Sequence, residues 1–277
     1  MTEHPSTPVD CALARRLEAH ETWSASSQAN ATAHWFPATG AANLALVSGV
    51  AVYGGPRSPN TGVFGWGMAE SELSHDLREL EDFYRQHGAR SVIRHCPLAN
   101  EEMLPLLGRH GYVARDDMNV YVQPIGADGD GPSIETELII RPAKSDEARR
   151  WFVDMGYGGD WADPDGIEFM MIRCGLKPDS RLFLAWLGSE PVGGGGLETH
   201  DGVAALMAAV TAPAYRGRGV HKALVRARLK AARESGCDLA MVHTRPGAPS
   251  QRNVLRSGFR HVYTVTTYVA SAGMVTG

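Results

Sequence analysis

Cysteine is scarce in this sequence, and its spacing argues against the usual cysteine-based architectures. The 277 residues contain only Cys11, Cys96, Cys174 and Cys237, and no two of them form a CxxC pair. Neither a zinc knuckle nor a disulfide framework is indicated, since each needs closely and regularly spaced cysteines. We expect reduced, mostly buried thiols and no metal site.

Long apolar segments and an excess of charge of one sign are also lacking. No stretch reaches the roughly 18 apolar residues that indicate a membrane-spanning helix. Glu3, His4, Pro5 and Pro8 stand where a signal peptide has a basic and then an apolar run. The formal net charge is -4, which does not favour a chain that coats nucleic acid or a membrane surface. We therefore expect a cytoplasmic protein without membrane association.

A segment rich in turn-forming residues divides the sequence into two parts. The length exceeds that of a typical single domain, so two domains of about 130 residues are expected. Glycine, aspartate and proline dominate residues 126–133, where no apolar periodicity is present, and this composition is typical of a linker. The sequence predicts one domain over residues 1–125, a linker over 126–133 and a second domain over 134–270.

The two predicted domains share an order of elements. A helical pattern ends at Gly88 in the first and at Gly236 in the second, and each is followed by a strand-like run, a proline-bearing loop and a short helix. A glycine and an aromatic residue come next, at 111–112 and 258–259, before a closing β-rich run. The separation in sequence between the two helix ends and the separation between the two Gly-aromatic pairs agree to within one residue. We therefore favour duplication over a chance similarity between two αβαβ segments.

Three strand-like runs precede the helix that ends at Gly236. They cover residues 181–187, 191–198 and 203–210, and their short separators suit an antiparallel meander. Two helical segments come before them, at 146–155 and 164–174. The prediction is an α/β fold of the α+β type, built on a mixed sheet.

The loop that follows the last of these strands carries the chemical signal. It contains Arg216, Gly217, Arg218, Gly219 and Lys222 and leads directly into a helix. Unpaired backbone N–H groups and the positive end of the helix dipole favour an anion at such a point. Glycines let the backbone approach a diphosphate closely, and the basic side chains add charge-assisted contacts. A tight turn with solvated arginines is the alternative interpretation.

Residues 216–221, Arg-Gly-Arg-Gly-Val-His, resemble the signature Arg/Gln-x-x-Gly-x-Gly/Ala of the GNAT superfamily of N-acetyltransferases. Pro213 stands at the family's usual place, and the resemblance extends to the segment 250–253 and to residues 258–259. His221 departs from the pattern, because the family has Gly or Ala there. The resemblance implies two acyl-CoA N-acyltransferase domains in tandem, of which the second is catalytic and the first degenerate.

The resemblance also implies a mechanism and a cosubstrate. Acetyl-CoA, or another acyl-CoA, donates its acyl group directly to a primary amine in a ternary complex, without a covalent enzyme intermediate. A small-molecule amine is the expected acceptor, although the signature describes only the donor site and leaves the oligomeric state open. The residues assigned to the cosubstrate are Ala209, Val210, Thr211, Arg216, Gly217, Arg218, Gly219, Val220, His221, Lys222 and Asn253.

The acid and the base are less clearly marked. Many relatives place a tyrosine four residues before the Gly-aromatic turn, to protonate the leaving thiolate, and Val254 stands there in this sequence. Tyr215, Tyr263 or solvent are the substitutes. Glu198, at the end of a strand near where acceptor amines enter in the family, is the candidate general base. A solvated hairpin carboxylate is the alternative interpretation.

The first half lacks the anion site. Glu70 and Glu72, with no arginine, precede its corresponding helix, and carboxylates repel a diphosphate. If duplication holds, this half shapes the acceptor pocket, with Trp35, Trp66 and Tyr53 as candidate lining residues.

Two other functions stay open. The basic run from Arg216 to Arg233 suits an aminoacyl-tRNA donor, and the departures at His221 and Val254 suit a non-catalytic CoA-binding or other ligand-binding protein.

Overall fold

The structure, a computed structural model, describes residues 10–126, 137–154 and 164–271. Contacts between residues divide them into two compact units. The first comprises the described residues up to Val120 together with those from His261 onward, and the second comprises those from Tyr121 to Arg260. Apart from Gly126, the predicted linker lies outside the described residues.

The first unit combines a mixed sheet with three helices. Its strands lie in the order β1-β2-β3-β4-β11-β5, and β3 and β4 are parallel whereas β1, β2 and β3 form an antiparallel meander. Its elements are α1 (Cys11–Trp35), β1 (Ala42–Ala45), β2 (Val50–Tyr53), β3 (Gly62–Phe64), α2 (Leu73–Gln86), β4 (Val92–His95), α3 (Met103–Arg109), the first part of β5 (Tyr112–Pro124) and β11 (Arg260–Ala270) from His261.

The spacing of apolar residues explains how α2 sits on the sheet. Leu73, Leu77, Leu80 and Tyr84 are buried, and their separations of three and four residues place them on one face of a helix. They form one apolar core with strand residues such as Ile93. The helix ends before Gly88, whose φ of 62° is a left-handed conformation that glycine adopts without strain.

The second unit repeats this arrangement. Its strands lie in the order β5-β10-β9-β8-β7-β6, with β6 to β9 antiparallel and β9 parallel to β10. Besides the end of β5, its elements are β6 (Leu138–Pro142), α4 (Ser145–Asp154), α5 (Pro164–Met171), β7 (Ser180–Leu187), β8 (Glu190–His200), β9 (Val203–Thr211), α6 (Val220–Glu234), β10 (Leu239–Thr244) and α7 (Pro249–Arg256).

These elements confirm the predicted mixed sheet and the repeated order of signals. The helices before Gly88 and Gly236, the following strands, the short helices α3 and α7 and the closing strands β5 and β11 appear in the same sequence. Both glycines, and also Gly111 and Gly258, have positive φ angles. Glycines at corresponding positions of the two halves therefore lie at equivalent helix ends and turns.

The observed units do not follow the chain in linear order. Strand β11 pairs with β4 of the first unit, with Thr266 opposite His95 and Val269 opposite Val92. Residues from His261 therefore group with the first unit, whereas the sequence keeps 134–270 together. Strand pairing between distant segments decides this placement, and no local pattern encodes it. The division into domains at 1–125 and 134–270 stays a prediction.

No helix within the described ranges is long and apolar enough to cross a lipid bilayer.

Candidate active site

A bulge in β9 and a separation of β9 from β10 shape the candidate site. The register between β8 and β9 shifts between Gly194 and Gly196, and on the facing strand Ala208 has a φ of 53°. Such an extra residue bends a strand and changes the direction of its backbone groups. The parallel register of β9 with β10 covers only Val203 to Ala205. Beyond Ala205, β9 therefore runs on without a β10 partner.

The loop between β9 and α6 presents unused amide groups. The N–H of Arg216 donates to the carbonyl of Pro213, but none of the amides of residues 217–222 donates to an acceptor in the described part of the chain. Gly217 and Gly219 have φ angles of 76° and 79°, and a Cβ at either would meet no atom within 4 Å. Glycine is thus required by the backbone conformation, and the space beside it is open.

The electrostatics of this loop favour an anion. The unused amides stand at the N-terminus of the 15-residue helix α6, where the helix dipole contributes partial positive charge. The side chains of Arg216, Arg218 and Lys222 are exposed beside it, and the Arg218 guanidinium lies 5.4 Å from the centre of the Tyr215 ring. Linked phosphate groups would meet both backbone donors and full charges here.

A cleft of about 900 Å³ joins the loop to the bulge. It gathers most of the residues assigned from the sequence, and Arg218 is the one that does not line it. Lining the cleft are Ala209, Val210, Thr211, Arg216, Gly217, Gly219, Val220, His221, Lys222 and Asn253. The two ends of this set, the β9 backbone and the start of α7, are far apart in sequence.

Other residues of the cleft were not anticipated. Thr244, at the end of β10, is buried and its hydroxyl oxygen has no hydrogen-bond partner. His243 and Arg256 also line the cleft. An unsatisfied buried hydroxyl facing a cleft suits a polar ligand such as the amide-bearing arm of CoA. The unused loop amides and Thr244 together show that these residues fit a phosphorylated, amide-containing cosubstrate.

A comparison with protein families agrees with this geometry. Residues 145–259, which contain the cleft, match the family described as "Acetyltransferase (GNAT) family". The match lies entirely within the second half of the chain. None of the curated proteins compared with the chain matches it significantly.

Solved structures extend the likeness of the GNAT fold to most of the chain. A GCN5-related N-acetyltransferase from Kribbella flavida is 18% identical with a TM-score of 0.57, over 73% of this chain and 76% of that one. A GCN5-related N-acetyltransferase from Sphaerobacter thermophilus is 17% identical with a TM-score of 0.52, over 75% and 70%. A tandem GNAT protein from the clavulanic acid biosynthesis pathway is 13% identical with a TM-score of 0.54, over 75% and 72%. At these identities the likeness establishes the fold, here two GNAT-like units in tandem.

Arg228, a member of the basic run from Arg216 to Arg233, is a buried residue of the cleft. Its side chain is 1% exposed, and its guanidinium donates to the carbonyls of Leu224, Gly196 and Met207. A Cβ on Gly195 would lie 2.8 Å from the Arg228 Cζ atom. The glycine run of β8 therefore makes room for this guanidinium. A run of glycines in a strand, together with an arginine on the apolar face of the following helix, is the sequence signal that could have indicated this buried contact.

His221 lies in the same cleft, at the position where the GNAT pattern departs. Burial, and then the positive charge of Arg228, lower the pKa of this imidazole below its ordinary value. The side chain is therefore neutral at pH 7 and adds no charge to the phosphate site.

Glu198, the candidate base, is not at a solvated strand end. Its side chain is 0% exposed, it forms a buried ion pair with Lys177, and it does not line the cleft. Burial lowers the pKa of Lys177, while the attraction of Glu198 opposes that shift. Strand β8 continues for two residues beyond Glu198 and ends at His200. Its role as base stays a prediction.

The two tyrosines considered as acids are both engaged. The Tyr215 hydroxyl donates to Glu190 at 2.7 Å, and this hydrogen bond raises its pKa. The Tyr263 hydroxyl lies in the first unit, where it donates to buried Glu18. Burial raises the pKa of Tyr263 as well. Tyr263 belongs to the first unit because its strand, β11, pairs with β4.

The described residues of the first unit present no comparable anion site at the corresponding helix. The Asp76 carboxylate, in the first turn of α2, accepts hydrogen bonds from Trp66 Nε1 at 2.9 Å and Ser71 Oγ at 2.7 Å. A carboxylate thus occupies the helix start where α6 offers unused amides. Trp66 and Tyr53 belong to the apolar core and Trp35 is exposed. Their role in lining an acceptor pocket stays a prediction.

Proposed function

We propose that the second unit transfers an acyl group from acyl-CoA, with acetyl-CoA the first donor to test, to a primary amine. The unused amides of residues 217–222 at the start of α6 carry this proposal. They bind the diphosphate of CoA, assisted by Arg216, Arg218 and Lys222. Asn253 and the hydroxyl of Thr244 bind the pantetheine arm, which runs between β9 and β10.

The bulge in β9 orients the reacting thioester. The backbone of Ala209 to Thr211 faces the cleft, and an amide directed at the thioester oxygen stabilises the charge that develops there. The neutral amine attacks the thioester carbon, the C–S bond breaks, and the CoA thiolate leaves. The amine proton passes to a base and the thiolate takes a proton from solvent, because Val254 supplies no acid.

The arrangement of Arg228 supports the same reaction without touching the substrate. Its hydrogen bonds to Gly196 and Met207 join β8 and β9 immediately beside the bulge. Arg228 is thus a positioning residue, which holds the strand backbone in the bulged conformation.

Calorimetry with acetyl-CoA and CoA tests the binding step. We expect micromolar binding of both, and a loss of at least about tenfold in the Arg216→Ala/Lys222→Ala double variant because two charge-assisted contacts are removed. The control is Lys230→Ala, which removes an exposed charge of α6 paired with Glu234. No binding to the wild-type chain at millimolar ligand contradicts the proposal.

A thiol-release assay with an amine panel then tests catalysis. Release of CoA that depends on both acetyl-CoA and an amine supports acyl transfer. Tight CoA binding without turnover across the panel favours the non-catalytic binding protein that His221 and Val254 suggest. Binding of charged aminoacyl-tRNA in place of acetyl-CoA favours the other donor, although the burial of Arg228 removes one charge from that basic helix face.

A further inference from the structure

The first unit contains a pocket of its own, with a volume of about 550 Å³. One wall is a face of α1 and the other is formed by the turn between β1 and β2 and by the loop after β3. Small-molecule sites have this size and usually combine apolar walls with a few polar groups. Trp23, Val50 and Met68 supply apolar walls here, and the acidic residue Glu18 also lines the pocket.

Glu18 is an unusual residue to find in such a wall. It is 4% exposed, and among the described residues the Tyr263 hydroxyl, at 2.8 Å, is the one hydrogen-bond donor to its carboxyl group. A carboxylate can accept about four hydrogen bonds. Donors among the described residues therefore leave most of its accepting capacity unused.

No basic side chain within the described residues forms an ion pair with this carboxyl group. Arg94, the nearest basic influence from β4, lies with its guanidinium over the Phe64 ring at 5.1 Å. Arg15, on the same helix and at the pocket rim, donates to the carbonyl of Met68. The groups that face Glu18 are otherwise Glu21 on α1, Tyr263 on β11 and the Cys96 thiol after β4. Burial raises the pKa of Glu18 to about 7.

We propose that this pocket binds a small organic monoamine, whose ammonium group pairs with the Glu18 carboxylate and whose apolar body lies against Trp23, Val50 and Met68. The ammonium group of the ligand supplies the positive charge that the described residues do not place beside Glu18. Trp23 contributes a ring face, the surface to which a cation is attracted. Arg15 at the rim selects against a second positive charge. This site is separate from the acyl-CoA cleft and does not depend on its assignment.

The experiment compares three ligands of one shape. Calorimetry measures binding of phenethylamine, 2-phenylethanol and 3-phenylpropionate to the full chain. We expect the amine to bind at least about tenfold more tightly than the alcohol, and the acid not to bind, because only the ammonium group pairs with the carboxylate. Failure of the amine to bind at 10 mM, or equal binding of the alcohol, overturns the proposal.

Proton linkage identifies the group involved. A carboxyl group with a pKa of about 7 is half protonated at pH 7, so pairing with an ammonium group releases about half a proton per site. Titrations in two buffers of different ionisation enthalpy measure this release. Amine binding without proton release contradicts a role for Glu18.

Two variants and a control complete the test. Glu18→Gln keeps an acceptor for Tyr263 but removes the charge, and we expect amine binding to fall at least about tenfold with proton release abolished. Ala19→Phe, at an exposed α1 position of the same wall, blocks the pocket without altering the carboxyl group and lowers binding similarly. Glu101→Gln, exposed in the same unit, leaves binding unchanged. Equal binding by Glu18→Gln and wild type locates the amine elsewhere.

Discussion

The starts of α2 and α6 occupy equivalent places in two copies of one fold, yet they offer opposite chemistry. At α6 the amides of residues 217–222 have no internal acceptor and three basic side chains surround them. At α2 the carboxylate of Asp76 lies in the first turn and accepts from Trp66 and Ser71. The fold therefore supplies the helix dipole in both units, whereas the side chains at the helix start determine whether a ligand can bind there.

The largest effect is expected when the start of α6 is made to resemble the start of α2. Gly219→Asp places a carboxylate beside the unused amides, and repulsion of the diphosphate should weaken acyl-CoA binding by at least about 1,000-fold. Calorimetry measures the change. Gly236→Asp is the matched control, since Gly236 has the same φ of 79° and equally open surroundings at the other end of α6. Wild-type affinity in Gly219→Asp would exclude this loop as the phosphate site.

The buried carboxylates of the two units provide a second contrast, because Glu198 has a cationic partner and Glu18 a neutral one. Glu198→Gln leaves Lys177 buried without its counter-charge, and we expect a loss of about 3–5 kcal/mol in the free energy of unfolding. Denaturant unfolding measures this loss. The base hypothesis further predicts at least about a tenfold fall in kcat at neutral pH with acetyl-CoA binding unchanged.

The double variant Lys177→Met/Glu198→Leu separates the two roles of Glu198. Apolar replacement of a buried pair restores stability. If Glu198 is the base, the double variant is stable and inactive; if the pair is structural, it is stable and active.

The hydrogen bonds by which Arg228 joins β8 to β9 are a further feature of the cleft in the second unit. Arg228→Met removes three hydrogen bonds to backbone carbonyls and should lower the free energy of unfolding by about 1–3 kcal/mol. It also removes a charge that lowers the pKa of His221, so that pKa should rise. Because the folded pKa of His221 lies below its unfolded value, its contribution to stability is present at neutral pH and is lost as pH falls through the folded pKa. An NMR titration of His221 in both proteins measures the shift, and an unchanged value would refute the coupling.

The smallest effect concerns the second helix of the cleft. Asn253→Ala removes one neutral hydrogen bond to the pantetheine arm, and the loss of about 1 kcal/mol corresponds to about a fivefold higher KM for acetyl-CoA. Steady-state kinetics measure it. Arg252→Ala, at a neighbouring exposed position outside the cleft lining, should match wild type. A change in Arg252→Ala as large as in Asn253→Ala would remove the assignment.

Local signals in the sequence predicted the elements and the loop. Each of these signals lies within a short stretch of sequence, about one or two helical turns or a single strand. They are the alternation of apolar residues, the glycines at helix ends and the Arg-Gly-Arg-Gly run. These signals gave the repeated order of elements and the loop, and the resemblance to the GNAT family assigned ten of the residues that line the cleft.

Placement that depends on distant contacts was not predictable. Tyr263, a candidate acid, lies on β11, which pairs with β4, and Glu198, the candidate base, forms an ion pair with Lys177, which lies 21 residues away in sequence. Arg228 appeared as one member of a basic run, although the glycines it packs against lie 32 residues earlier. Each of these contacts arises where two segments meet only after the sheet has formed.

An amide-resolved NMR titration with CoA tests the central claim most directly. If the free N–H groups before α6 bind the diphosphate, the largest chemical-shift changes fall on Gly217, Gly219 and His221, while the amides of residues 70–76 before and within α2 do not move. Saturable shifts confined to α2, or no shifts in the loop at millimolar CoA, would contradict the account.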